Sequence, residues 1–106
     1  MRYQALMIRR IDPQHVDAVA KLFAEHDRTD LPGRIGVQQR TLFHLRGLYA
    51  HLVQSDEDFQ GRLYAARNDP LMRDIDEGLR RYLTPYEPGL PSMADSQATA
   101  FYQWHR

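Results

Sequence analysis

The chain contains no cysteine, which removes disulfides, zinc–thiolate sites, iron–sulfur ligation and a thiol nucleophile together. It has no charge excess: 14 Lys and Arg stand against 14 Asp and Glu, a formal net charge of +0. Without a basic surplus, neither a nucleic-acid backbone nor an anionic membrane surface is an expected partner. No apolar run approaches the roughly 20 residues that a bilayer span requires, and the opening residues lack the apolar stretch and cleavage site of a secretory signal. A cytoplasmic location is expected. No glycine-rich loop is present, which disfavours a nucleotide cofactor. None of Ser55, Ser92 and Ser96 sits in a nucleophile-elbow context. Lysine is nearly absent too, Lys21 being the single one. What remains is an ordinary globular composition of 106 residues, 42% hydrophobic and 26% charged. That is one domain over residues 1–106, with material for one modest core and too little for two. Any chemistry has to come from His, carboxylates, Arg, Tyr or Ser.

The pattern of apolar residues sets the element order. Tyr3 to Ile11 reads as a strand that ends at Asp12-Pro13, a pair that opens helices. Over residues 13–27, Val16, Val19, Ala20 and Phe23 recur at spacings of three and four, and the same stripe extended by three reaches His26. Residues 28–33 carry helix breakers and read as a loop. Residues 35–46 and 48–54 read as two strands around Arg46-Gly47, an antiparallel hairpin with a short turn. Ser55 or Asp56 can cap a helix through Phe59, Leu63 and Ala66. A second start at Asp69-Pro70 carries Leu71, Ile75, Leu79 and Tyr82. Residues 86–95, with Pro88, Gly89 and Pro91, form a loop, and the aromatic-rich segment 98–105 is expected as the last strand. The order βαββαβ predicts an α+β fold of ferredoxin-like layout, a four-stranded antiparallel sheet with both helices on one face.

The hairpin is the most informative segment. With Arg46 and Gly47 in the turn, Leu45 pairs with Leu48, Phe43 with Ala50, Leu42 with His51 and Arg40 with Val53. One face is then Ile35, Val37, Thr41, Phe43, Leu45, Leu48, Ala50 and Leu52, while the other carries Arg40, Leu42, His44, Tyr49, His51 and Val53. A face free of charge is poorly placed in water, so it is expected to pack on the same face of a second copy, giving a homodimer. The helices then cover the polar face, where the stripe of the first helix directs His26 toward Arg40 and His51.

A helix C-terminus favours a protonated imidazole, which suits His26 to act as an acid or a poised base; its plainer role is to cap the last turn. Asp27, next in sequence, points about 100° away on a helix and serves equally well as a loop cap. Arg40 and His51 stand one diagonal step apart on neighbouring strands and can act on one substrate atom. A buried Arg needs a carboxylate or an anion, so Arg40 either faces a cavity built for an anion or pairs structurally, for instance with Asp27. His44, nearer the turn, reads as partly exposed and without a role, and His15 and His105 as surface residues. Three histidines and an aspartate raise the question of a metal, but their spacing fits no H-x-x-x-H or H-E-x-x-H pattern. No metal site is predicted.

Read together, Tyr3-Gln-Ala-Leu-Met-Ile8, Phe23-Ala-Glu-His-Asp27, Gly36-Val37, Arg40, Leu42-Phe43, Leu48-Tyr49 and His51-Leu52 resemble the tetracenomycin-type aromatic polyketide cyclases. Further along, Arg62-Leu63-Tyr64, Ala66-Arg67, Asp69-Pro70-Leu71, Tyr82-Leu83-Thr84-Pro85-Tyr86 and Phe101-Tyr102-Gln103-Trp104 extend the likeness over nearly the whole chain. The specificity lies in their order and spacing. The resemblance implies a dimeric α/β barrel that needs no cofactor. It also implies functional positions at His26, Asp27, Arg40 and His51.

The implied reaction is an intramolecular aldol closure on a polyphenolic polyketide followed by loss of water. A methylene between two carbonyls is already acidic, so a positioned His and an Arg for the enolate oxygen suffice. On this reading His51 or His26 removes the proton, Arg40 stabilises the oxyanion, and His26 with Asp27 protonates the departing hydroxyl. Phe23, Tyr64, Tyr82, Tyr86 and Trp104 would line the cavity against a flat substrate, or serve as ordinary core. A cofactor-independent polyketide monooxygenase of the same fold and a non-catalytic dimeric protein that binds the intermediate are the competing readings, since fold alone does not separate them.

Overall fold

The computed structural model describes residues 2–90 and 92–106; Met1, and Pro91 of the expected loop over 86–95, lie outside them. Strand β1 covers Tyr3–Ile11, as its run of β-tolerant residues predicts. It stops at Asp12, whose carboxylate accepts from the Gln14 N–H at 3.0 Å, and Pro13 fixes the φ of the first turn. After a single 3-10 turn, helix α1 runs over Val16–His26 with Val19 and Phe23 buried. Asp27 caps it, and the Thr29 hydroxyl donates to the His26 carbonyl at 2.7 Å.

The segment expected as a loop holds a short helix, α2, over Leu31–Ile35. Pro32 and Gly33 look like breakers, but proline in a first turn lacks only a donor that the helix does not use. The terminator is Gly36, in the left-handed region at φ 97°. Because α2 takes up Ile35, strand β2 is shorter than predicted, Gln39–Leu45. Ile35 and Val37 leave the open sheet face and line the cavity beneath the helices instead.

Strand β3, Leu48–Ser55, pairs with β2 in the predicted register, Leu45 with Leu48, Phe43 with Ala50, Leu42 with His51 and Arg40 with Val53. The turn uses positive φ at Arg46 (46°) and Gly47 (86°), the geometry that matches the right-handed twist of the flanking strands. His44 closes it by accepting from the Gly47 N–H at 3.0 Å, a role the sequence did not indicate.

The second helical stretch comes in two main pieces, α3 over Gln60–Ala65 and α4 over Pro70–Leu79, the latter capped by the Asp69 side chain on the Leu71 N–H. Helix α4 ends before Tyr82. The fourth strand is β4, Leu83–Pro85, which pairs with Arg9–Ile11. The expectation of a strand over 98–105 is therefore corrected: β4 takes that edge of β1, and the chain then turns through α5, Met93–Ser96. Among the described residues it pairs with β1 again at Gln97 opposite Met7 and at Ala98, whose N–H donates to the Leu6 carbonyl at 2.7 Å. Beyond that, Phe101, Tyr102 and Trp104 are exposed.

The sheet order β2-β3-β1-β4, antiparallel throughout, with helices on one face, is ferredoxin-like. Between sheet and helices lies the core, including Met7, Val53, Phe23 and Ile75, with Phe59 and Leu31 each 1% exposed. Burying a side chain of that size contributes about 1.5–3 kcal/mol. On the opposite face Phe43 and Leu45 are exposed at 52% and 67%. Among the described residues no helix is long and apolar enough to cross a membrane.

The hairpin geometry predicts two opposite stability changes. Arg46→Asn, which suits a positive φ, raises the denaturant midpoint. Gly47→Val lowers stability by about 1–2 kcal/mol, the penalty for a β-branched residue in the left-handed region. Urea unfolding of both variants is the check.

Candidate active site

The end of α1 and the middle of β2 and β3 meet at the guanidinium of Arg40. The alternation of β2 turns Arg40 toward the helices, and the diagonal to His51 closes to 2.8 Å between Arg40 Nη1 and His51 Nε2. On its other side Arg40 donates from Nη2 to Asp27 Oδ1 at 2.8 Å and from Nε to both carboxylate oxygens at 3.1 Å. Its plane sits over the Phe23 ring, 4.8 Å from the centroid. The Arg40 side chain is 12% exposed and that of Asp27 40% exposed. Of the two expectations for Arg40, the structure shows the pairing with Asp27; the cavity that it also faces is mainly apolar.

That cavity measures about 410 Å³ and is lined mainly by apolar side chains, with Phe23, His26, Arg40, Tyr49 and His51 along one wall. The Phe23 ring stands 5.0 Å from His51 and 6.4 Å, edge-on, from His26. Asp27 stays outside the lining, behind Arg40. Among the expected aromatics, Phe23 alone is in the wall. Tyr64 is 67% exposed, with Arg67 over its ring, and Trp104 is 67% exposed on the C-terminal arm. Tyr82 packs on His15 at 5.0 Å, and Tyr86 stacks under Arg10 at 4.5 Å. The sequence assigned no role to Tyr49, which is 3% exposed and whose phenol burial holds above its ordinary pKa. Its place in the hairpin alternation was the available signal.

An arginine donates and does not accept, so the contact with Arg40 fixes His51 as the acceptor at Nε2, with its proton on Nδ1. Burial first, and then the charges of Arg40 and Arg9 and the presence of His26, push the His51 pKa down to about 3. His51 is neutral at any physiological pH. His26 is half-buried, and its pKa is lowered by burial and by Arg40, with Asp27 opposing. This reverses the expected upward shift, because losing water and facing a guanidinium outweigh the helix end. The His26 ring makes no hydrogen bond to the described residues, so a neutral imidazole with an unused lone pair faces the cavity. Among the described residues no cluster of three or more His, Asp or Glu side chains is set to hold a metal ion. The position between Asp27 and the histidines is filled by the cation of Arg40.

A family model described as polyketide synthesis cyclase matches residues 3–105. Tetracenomycin F2 cyclase of Streptomyces glaucescens is 47% identical over 104 residues, covering 98% of this chain and 95% of that protein. Polyketide synthase CurG of Streptomyces cyaneus is 30% identical over 105 residues, covering 98% of both. A solved structure of the S. glaucescens tetracenomycin F2 cyclase, described as a type-II polyketide cyclase, superposes with a TM-score of 0.91 at 46% identity over 98% of both chains.

The protonation state of His51 makes stability acid-sensitive. Its pKa falls from 6.5 to about 3 on folding, so between those values the unfolded chain binds more protons. Stability is then lost as pH falls below 6.5, by up to about 1.4 kcal/mol per pH unit, and this group adds no slope above 6.5. Urea unfolding at pH 7 and pH 5 is expected to show a loss about 1–2 kcal/mol larger for the wild type than for His51→Gln. Equal losses would contradict the assignment.

Proposed function

The chain belongs to the polyketide synthesis cyclase family and is a polyketide cyclase, and from that premise we propose that it closes a ring on a polyphenolic polyketide by aldol condensation and dehydration without a cofactor. The observation that carries this reading is the chain Asp27–Arg40–His51, with the free His26 imidazole beside it on the wall of a mostly apolar cavity.

In this reading His26 is the base. It is neutral near pH 7 and its lone pair is unused, whereas the His51 Nε2 lone pair is taken by Arg40. His26 removes a proton from a methylene between two carbonyls, and the enolate oxygen takes the second N–H of Arg40 Nη1, the one not given to His51. Asp27 and His51 hold the planar guanidinium fork, so that this N–H is presented to the substrate without the side chain moving. The enolate carbon attacks the second carbonyl carbon, and the new alkoxide takes its proton from the His26 imidazolium, which restores the neutral ring to accept the remaining α-proton. Loss of the remaining α-proton expels the β-hydroxyl, which leaves as water after receiving a proton from the imidazolium of His26; the adjacent Asp27 charge favours that cation. Tautomerisation to the phenol completes the ring, with one water lost. His51 positions Arg40 and keeps its donor pointed at the cavity.

We also propose a homodimer through the open sheet face. Phe43 and Leu45 stand exposed there beside half-buried Leu48 and Leu52, an apolar surface that a second copy would cover.

Mass spectrometry of a partly cyclised polyphenolic polyketide, incubated with the pure protein in air, tests the chemistry. Faster loss of one water than in a protein-free control is expected; gain of one oxygen, or no difference from the control, would refute it. Arg40→Ala is expected to lower turnover by about two orders of magnitude. His26→Ala is expected to lower it by 10²–10⁴-fold and to remove the acid limb of the pH–rate profile, which lies below pH 6.5. For assembly, sedimentation should give a dimer for the wild type and a folded monomer for Phe43→Glu.

A further inference from the structure

Arg9 occupies a position on β1 where an apolar side chain is expected. The strand alternates, and its helix-facing set is Ala5, Met7, Arg9 and Ile11, of which the three apolar members are at most 8% exposed. Arg9 lines the same cavity as Arg40. Among the described residues no carboxylate lies within ion-pair distance of it. Asp76 of α4 lines the cavity too and feels the charges of Arg9 and Arg80, which oppose the upward shift that burial gives its carboxyl, but it makes no ion pair with Arg9. A half-buried guanidinium without a bonded counter-charge is costly to keep, and that cost is offset when an anion arrives.

The register places this cation with respect to the first one. Arg9 pairs with Tyr49 and Arg40 with Val53 on opposite sides of β3, so the two positions are about 13 Å apart along the strand and about 10 Å across it, or about 16 Å in all. They enter the cavity from opposite ends of the ladder, with His51 and Tyr49 between them; the charges of both arginines act on both of those side chains. A linear fused aromatic system bridges such a distance.

We propose that Arg9 is a specificity-determining residue that anchors an anionic oxygen, a carboxylate or an acidic phenolate, on the part of the substrate remote from the ring closed at Arg40. The inference rests on the cyclase reading for the kind of ligand, and its test separates the two. The probe is a dihydroxyanthraquinone carboxylic acid, compared with its methyl ester at pH 6.5, where the phenols are neutral, and at pH 9, where one is ionised.

Tighter binding of the acid than of the ester at pH 6.5 assigns the anchor to a carboxylate; tighter binding of the ester at pH 9 than at pH 6.5 assigns it to a phenolate. In either case Arg9→Leu and Arg9→Gln weaken the anionic form about tenfold or more and leave the neutral form unchanged. Arg9→Lys retains part of the preference. Arg10→Gln, on the opposite face of the same strand, leaves it intact. Thermal unfolding of Arg9→Leu, at or above the wild-type midpoint, excludes misfolding as the cause. An affinity in the Arg9 variants equal to wild type for every form of the probe overturns the proposal. Turnover reads the other question: a wild-type protein that binds the acid through Arg9 yet closes no ring retains the anchor and loses the cyclase reading.

Discussion

A buried guanidinium has to place its donors on acceptors, and in this protein that requirement ties the parts of the site together. Arg40 reaches Asp27 at the end of α1 and His51 on the neighbouring strand, both at 2.8 Å. For that to happen, α1 must stop at His26, and the hairpin must keep the register that puts His51 diagonal to Arg40. The same contact sets the chemistry of its neighbours, since an acceptor for arginine cannot also carry a proton at that nitrogen. A lysine would supply the charge but not the fork that spans a carboxylate and an imidazole at once.

The two faces of the sheet divide the work. One carries Arg40, Tyr49 and His51 beneath the helices, on the wall of the cavity. The other presents Phe43 and Leu45 outward. With about a hundred residues there is little material for a site and a separate scaffold, so the period-two alternation of a single hairpin serves both. Core residues such as Phe23 also serve twice, packing α1 onto the sheet and offering a ring face to Arg40.

Much of this was legible in the sequence where local rules dominate. The Arg46-Gly47 turn fixed the register of β2 and β3, and register fixed the faces, so the meeting of His26, Arg40 and His51 followed from spacing alone. The partnership of Arg40 with Asp27 was open, because the direction of a helix-end side chain depends on how the helix stops. The reading failed where tertiary competition decides. Residues 98–105 have the composition of a strand, yet Leu83–Pro85 occupies the edge of β1 they would need. Pro32 and Gly33 were taken as breakers because the first-turn use of proline depends on a terminator at Gly36. The flat apolar rings of Tyr64, Tyr82, Tyr86 and Trp104 suit a cavity wall or the core equally, and ring chemistry carries no information about direction.

The central position of β1 has a bearing on how the chain is made. It leaves the ribosome before either of its partners, Leu48–Ser55 and Leu83–Pro85. A nine-residue strand rich in β-forming side chains therefore waits with both hydrogen-bonding edges open until the hairpin has been synthesised, and with one edge open for longer. Non-local pairing of this kind is slow, and an unpaired apolar strand is a template for intermolecular contacts. The charges of Arg9 and Arg10 at its distal end, on opposite faces, act as gatekeepers during that interval.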